Sequence, residues 1–226
     1  MTRLIRPLIK DFMILAFDTS LRDLHIGLFS DRAEPLAEFH GIASEHDRGI
    51  HDALLAQKTS DLLNEIHASP KDISKIALII GPGSFTGLRI GLSFAKGLAY
   101  GSGAEIIPLL AHKVLLKEYS KKTSDDGHQT LDFPILYPGY EKDSVYISFA
   151  NDPENIRYIK ISEVRKMNIK EAITSSEMDL GNIISHSTSV NLQTMAEMAI
   201  DNRPSTIDSS DSLEPFYGTD FKPTVR

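Results

Sequence analysis

The chain has no cysteine and no tryptophan among its 226 residues. Without thiols it holds no disulfide, no zinc–thiolate centre and no cysteine nucleophile. That absence of cysteine favours a cytoplasmic location, and since the chain lacks any apolar run approaching the roughly 20 residues that cross a bilayer as a helix, no membrane segment is expected. Residues 1–12 are basic but have neither a sustained apolar core nor a small-residue cleavage site. They read as a tail, with Met13 a second candidate start. Positive charge is in deficit: 24 Lys and Arg against 31 Asp and Glu give a formal net charge of −7. That balance argues against nucleic-acid binding through bulk charge, and the cluster Lys113, Lys117, Lys121 and Lys122 reads as a solvated helix face. Familiar nucleotide and hydrolase signatures are missing too. No Gly-Lys-Ser/Thr follows Gly81 at Walker A spacing, Thr86 stands where G-x-G-x-x-G needs its third glycine, and Gly83 directly before Ser84 breaks a G-x-S-x-G elbow. The histidines have no metal-ligand spacing: His46 and His51 are five apart, and Leu116 stands four residues after His112. They read as surface or capping residues, and no metal is expected.

What is present is an ordinary globular composition, 41% hydrophobic and 24% charged. Strands are expected over 13–18, 24–30 and 35–41, a meander at such short spacing. A helix follows from about Asp47 to His67, capped by Ser44 and Asp47, with Ile50, Leu54, Leu55, Leu62, Leu63 and Ile66 as its apolar face. A strand over 75–80 leads through a glycine turn into an unusually apolar helix from about Ser84 to Tyr100. A strand over 105–110 and a helix over about 111–122 complete the order β-β-β-α-β-α-β-α, that of an RNase-H-like, actin-like α/β fold. Polar residues 123–132 mark a boundary. The expected division is a tail (1–12), an N-terminal actin-like lobe (13–122) and a smaller, degenerate C-terminal lobe with its own tail (123–226). Within the latter, 133–137, 144–150 and 156–161 read as strands and 162–173 and 191–200 as helical. No internal repeat is visible. The end Leu213-Glu-Pro-Phe-Tyr-Gly-Thr-Asp-Phe reads either as packing onto the body or as serving a partner.

Two motifs carry the chemistry that can be argued from residue type. The run Gly81-Pro-Gly-Ser-Phe-Thr-Gly-Leu-Arg-Ile-Gly91 joins an apolar strand to a helix. Its glycines permit positive φ and close approach, while Ser84, Thr86 and the helix N-terminus face one point. That suits a phosphate, and it equally suits tight strand-to-helix packing. Asp18-Thr19-Ser20 closes the first strand; such residues hold a metal-bound water and phosphate in a nucleotide fold, or simply cap a turn. A small-molecule kinase built on Asp18, Thr19 and the glycine turn lacks a second phosphate motif in the C-terminal half.

The glycine run (Gly81, Gly83, Ser84, Thr86, Gly87, Arg89) continues into Ala95-Lys-Gly-Leu-Ala99 and closely resembles the signature of the TsaB (YeaZ) family. Ile14-Leu-Ala-Phe-Asp-Thr-Ser20, His51 opening a helix with Leu54 and Leu55, and Glu214-Pro-Phe-Tyr217 agree in order. The likeness is strong over 13–110 and thin between about 120 and 205. It implies an acetate kinase, sugar kinase, Hsp70 and actin (ASKHA) fold, and a non-catalytic partner of TsaD in forming threonylcarbamoyladenosine in tRNAs that read codons starting with A. The implied associations are a heterodimer with TsaD, TsaE in the larger complex, and a homodimer when TsaD is absent. Contact with tRNA is indirect or undetermined. No cofactor is implied, with ATP at a partner interface left open and Asp18, Thr19 and Ser20 as a nucleotide-binding remnant. TsaD carries a metal-binding H-x-x-x-H where this chain has only His112, which implies no metal, no lone transfer activity and no peptidase activity. In the family two helices from each partner form a four-helix bundle. The matching residues here are Ile50, Leu54, Leu88, Gly91, Leu92, Ala95 and Leu98. The stretch Tyr137-Pro-Gly-Tyr140 departs from the family pattern, and nothing functional carries onto that half.

Overall fold

The computed structural model describes residues 13–41, 51–123, 133–201 and 213–217. Two five-stranded sheets form the frame. In the first, β1 (Met13–Asp18), β2 (Leu24–Phe29) and β3 (Pro35–Gly41) run antiparallel, while β4 (Ile73–Gly81) and β5 (Glu105–Leu110) run parallel to β1, giving the order β3-β2-β1-β4-β5. The central strand β1 is apolar at every position but its last and buried throughout, as a strand covered on both faces must be. Ile14 and Ala16 enter one core; Met13, Leu15 and Phe17 enter the other.

Helices α1 (His51–Glu65) and α2 (Phe85–Ser102) lie side by side over the second of these cores. The helix-opening residues Ser44, Asp47 and Ile50 lie outside the described residues. A 3₁₀ turn at Pro70–Asp72 separates α1 from β4. Ser84 caps α2, its hydroxyl accepting the Gly87 N–H at 3.2 Å, and Gly103, at φ 81°, ends it with an N–H to the Ala99 carbonyl. Helix α3 (Ala111–Thr123) follows β5.

The second sheet contains β6 (Pro134–Pro138), β7 (Ser144–Phe149), β8 (Asp152–Lys160), β9 (Glu171–Thr174) and β10 (Ile184–Ser187), in the order β10-β9-β6-β7-β8. Read from the other edge it repeats the first sheet: an antiparallel meander, then two strands parallel to the meander's first. The repeat is one of topology, invisible in the residues. Where α1 and α2 stand in the first half, the second has the single turn α4 (Ile161–Val164) and an irregular crossing. The expected helix over 162–173 is therefore corrected. It stops at Val164, and Ala172 and Ile173 are buried in β9 between β6 and β10. Four-residue strands are too short to show alternation, which is why β9 and β10 escaped the reading.

The halves exchange helices. Helix α3 packs on β6, β8 and β9 of the second sheet, and α5 (Leu192–Asp201) packs on β1, β2 and β4 of the first. Their side chains share one core, from Ile14 and Ile79 through Val114 and Leu115 to Tyr137, Ile173 and Met195. The basic cluster serves this exchange: Lys113 pairs with Glu154, Lys117 with Asp201 at 2.7 Å, Lys121 with Glu197 at 2.5 Å, and Lys122 donates to Thr188. Partly exposed pairs of this kind contribute about 0–1 kcal/mol each, so they orient α3 more than they stabilise it.

Candidate functional site

The carboxyl ends of β1 and β4 meet at one point, and there the two motifs interlock. Thr19 Oγ1 donates to the Gly87 carbonyl at 2.8 Å, and the Ser84 N–H donates to the Ser20 carbonyl at 2.7 Å. The glycines are small because backbone stands where their side chains would be. A Cβ on Gly83 would lie 2.5 Å from the Ser20 carbonyl oxygen, and one on Gly87 would overlap the Thr19 carbonyl. A Cβ on Gly91, one turn on, would lie 2.5 Å from Thr19 Oγ1 and close to the Phe17 ring. Asp18 is buried, its carboxylate accepting the Ser20 N–H at 2.8 Å. Burial pushes its carboxyl above the usual range, with the Ser20 contacts opposing. The Ser20 hydroxyl bonds the Tyr137 hydroxyl of β6 at 2.7 Å, and both residues are fully buried. Burial, with Asp18 adding its negative charge, holds the Tyr137 phenol well above its ordinary range. Asp18, Thr19 and Ser20 are thus 4%, 1% and 0% exposed, engaged with neighbours rather than open to a phosphate.

Behind Tyr137 lies His112, also fully buried, which corrects the surface reading of that histidine. Its Nε2 meets the Tyr146 carbonyl at 3.2 Å, and Nδ1 makes no hydrogen bond. Burial depresses its pKa to about 4, against the opposing carbonyls of Tyr146 and Ile135. The unfolded chain takes up a proton near the ordinary value of 6.5 while the folded one stays neutral. Stability is therefore full above that value and falls as pH drops towards about 4, by about 3 kcal/mol in all. Asp18, raised in the fold, works the other way at the acid end. The expected result is that urea midpoints of wild type and His112→Gln converge as pH falls from 7.5 to 4.5; parallel curves would show that His112 does not set the acid limb. Among the described residues no three His, Asp or Glu side chains converge as metal ligands.

The C-terminal segment completes the site. The Phe216 N–H donates to the Ile80 carbonyl at 2.7 Å, and the Phe216 carbonyl fills the space that a side chain on Gly81 would need. Tyr217 stacks on Phe85 with centroids 4.9 Å apart, and Arg89 Nε donates to the Tyr217 hydroxyl. Of the two readings of this end, packing onto the body is the one the structure shows for 213–217.

Several residues matched to a partner interface face inward. Leu88 and Ala95 are fully buried and Leu92 nearly so, all in cores of their own chain, and Gly91 sits against Thr19 and Phe17. The apolar stripe of α2 faces the sheet because that is where its burial is gained. Leu54 and Leu98 are half-buried beside the same core, and Ile50 lies outside the described residues. The outward side of α2 instead carries Thr86, Ile90, Ser93, Gly97 and Gly101, with Tyr100 at 96% exposure. Among the described residues, nothing lies within 4 Å of where a Cβ on Gly97 or Gly101 would be. A missing side chain is a weak signal to read from sequence, so the sequence does not show which of the helix's glycines faces outward. Tyr137 was missed for another reason: its partner Ser20 is 117 residues away.

The paired sheets, the β-β-β-α-β-α-β-α first half and the strand-end glycine turn define an α/β protein of the RNase-H-like, actin-like (ASKHA) class. Two solved Pseudomonas aeruginosa-related structures share the fold. "YeaZ from Pseudomonas aeruginosa" aligns with a TM-score of 0.61 at 15% identity, covering 83% of this chain and 90% of that one. An uncharacterized protein described as similar to that peptidase YeaZ aligns at 0.66 and 15%, covering 91% and 99%. In sequence, the family model described as "TsaD: tRNA N6-adenosine threonylcarbamoyltransferase" matches residues 29–137. The TsaB protein of Bacillus subtilis is 38% identical over 87 residues, 38% of this chain and 36% of that one. A tRNA N6-adenosine threonylcarbamoyltransferase of Streptococcus suis is 26% identical over 181 residues, covering 73% of this chain. The chain spans 50% of that transferase, about half its length. Within its class, the chain is similar to the TsaB (YeaZ) and TsaD proteins over these stretches.

Proposed function

We propose that this chain is the non-catalytic, TsaB-like partner of a TsaD-type transferase, and that it acts in forming threonylcarbamoyladenosine beside the anticodon of tRNAs reading A-starting codons. The observation that carries the reading is Gly97. A glycine inside a helix destabilises by about 1 kcal/mol relative to alanine, and no neighbour among the described residues calls for one at that position. On the outward face of an apolar helix, flanked by Ser93, Gly101 and an exposed Tyr100, it is suited to the close approach of another helix. The surface proposed for the partner is therefore the outer side of α1 and α2, centred on Gly97 and reached at its edges by Leu54 and Leu98. An interface of about 1,600 Å² would be ordinary for a stable pair. The same face serves self-association when the transferase is absent, and a TsaE-type ATPase joins the pair in the larger complex. The work is cytoplasmic.

Non-catalysis is supported by the engaged state of Asp18, Thr19 and Ser20 and by the single, buried His112 where TsaD has two metal-binding histidines. No resident metal or nucleotide is assigned to this chain alone. The test is co-purification with the TsaD-type protein of the same organism, followed by a threonylcarbamoyladenosine assay with and without this chain. Formation of a complex and dependence of the modification on both chains is the expected result. Failure to associate, or turnover by this chain by itself, would sink the reading.

A further inference from the structure

We propose that the first turn of α2 and the C-terminal segment 213–217 together build a docking point for a carboxylate of the partner, with Arg89 as the residue that binds it. This rests on the reading of α1 and α2 as the partner-facing side. The Arg89 guanidinium lies over the Phe85 ring, 4.1 Å from its centroid, and its Nε donates to the Tyr217 hydroxyl at 3.2 Å. Tyr217 in turn stacks on Phe85, and the segment that carries it is tied to β4 through the Phe216 N–H. An arginine side chain ordinarily loses much rotamer freedom on making a contact. Here an aromatic face and a hydroxyl already hold it in place. Its Nη1 and Nη2 groups have no acceptor among the described residues.

Arg89 is exposed, and Phe85 beneath it is 37% exposed, so the guanidinium fork is available at the surface. A planar fork held on a ring suits bidentate pairing with a carboxylate, a geometry lysine lacks. Arginine beside tyrosine is also the composition of energetically dominant interface positions. Charge points the same way. Helix α2 carries Arg89 and Lys96 and no acidic residue, in a chain whose net charge is −7. At 100° per residue, Arg89, Lys96 and Tyr100 fall on one flank of the helix, bordering the Ser93–Gly97 stripe. The surface that fits is one whose helices pack on that stripe and present an acidic side chain at its Arg89 edge. The glycine motif and the C-terminal segment become one device: Gly81 admits Phe216, Phe216 places Tyr217, and Tyr217 aims Arg89.

The test is isothermal titration of the full chain with the purified TsaD-type protein, at low and high salt, alongside thermal melts of each variant. Arg89→Met is expected to weaken binding about tenfold and to flatten its salt dependence. Arg89→Lys should lose about three- to fivefold, because charge remains and the fork does not. Tyr217→Phe, which keeps the ring and deletes the orienting hydroxyl, should lose about two- to fivefold with little change in melting. Substituting the partner's exposed Asp and Glu residues one at a time should yield one whose effect vanishes in the Arg89→Met background. If wild type binds and Arg89→Met binds equally well, this inference falls and the function proposed above stands. If the variants melt earlier yet bind normally once folded, Arg89 only ties down the C-terminal segment and the inference is likewise overturned. If wild type does not bind at all, both readings fall together.

Discussion

Gly87→Ala is expected to destabilise the fold by about 3 kcal/mol or more, the upper range for overpacking, and to lower the melting midpoint by about 6–12 °C in a chain of this size. A single methyl is enough. It would be driven into the Thr19 carbonyl oxygen, which is backbone and has no rotamer to escape into. The Thr19 hydroxyl bond to the Gly87 carbonyl would be strained by the same shift. Gly87 has no unusual φ, so the effect comes from close approach alone. Circular-dichroism melts decide the matter; a variant melting within a degree or two of wild type would show that the strand end and the helix are free to move apart.

Gly97→Arg is expected to do the reverse to folding and the greater damage to association. Helix propensity favours arginine over glycine by about 0.7–1 kcal/mol, and no described residue stands where the side chain would begin, so the midpoint should hold or rise by about 2–4 °C. Partner binding should fall by about two orders of magnitude or more, since a long charged side chain would stand in a close helix contact. Gly97→Ala should give the same stabilisation with a smaller loss of binding. Titration calorimetry against the TsaD-type protein, with melts as the control, separates the two effects. Unchanged affinity for Gly97→Arg would remove the outer face of α2 from the interface. Gly91→Arg cannot serve this purpose, because Gly91 lies against Thr19 and Phe17 and its loss would be a loss of fold.

The contrast between Gly91 and Gly97 shows where reading the residues succeeds and where it stops. The first half was legible because its signals are long: mostly apolar strands of six and nine residues in β1 and β4, and helices of 15, 18 and 13 residues. The glycine run could be placed as a strand-to-helix turn from spacing alone. Which atoms each glycine makes room for could not be, since Thr19, Ser20 and Phe216 come from distant parts of the chain. The resemblance matches the apolar residues of α2 to a partner interface, but the helix is apolar nearly all round, and only the sheet decides which side is inside. In the second half, strands of four and five residues carry too little pattern, and the repeated sheet order survives without repeated residues. His112 could not be told from a surface histidine, because its burial depends on Tyr137 and Tyr146 arriving from the other sheet.

The exchanged helices set the order in which this protein can become itself during synthesis. The face of β1, β2 and β4 on the Ile14 side is covered by α5, whose residues leave the ribosome more than a hundred positions after β1 does. The first sheet is therefore expected to stay open on that face through most of translation, with Leu192, Met195, Ala196 and Ala199 as the last pieces of its core. Nascent chains arrested at residue 160 should be cut readily by protease within residues 13–123, and chains arrested well beyond residue 201 should resist. Early resistance would mean that the first half closes by some other route. Because side chains of both sheets, α3 and α5 share one core, synthesis is expected to end in a single cooperative closing step rather than in two independent ones.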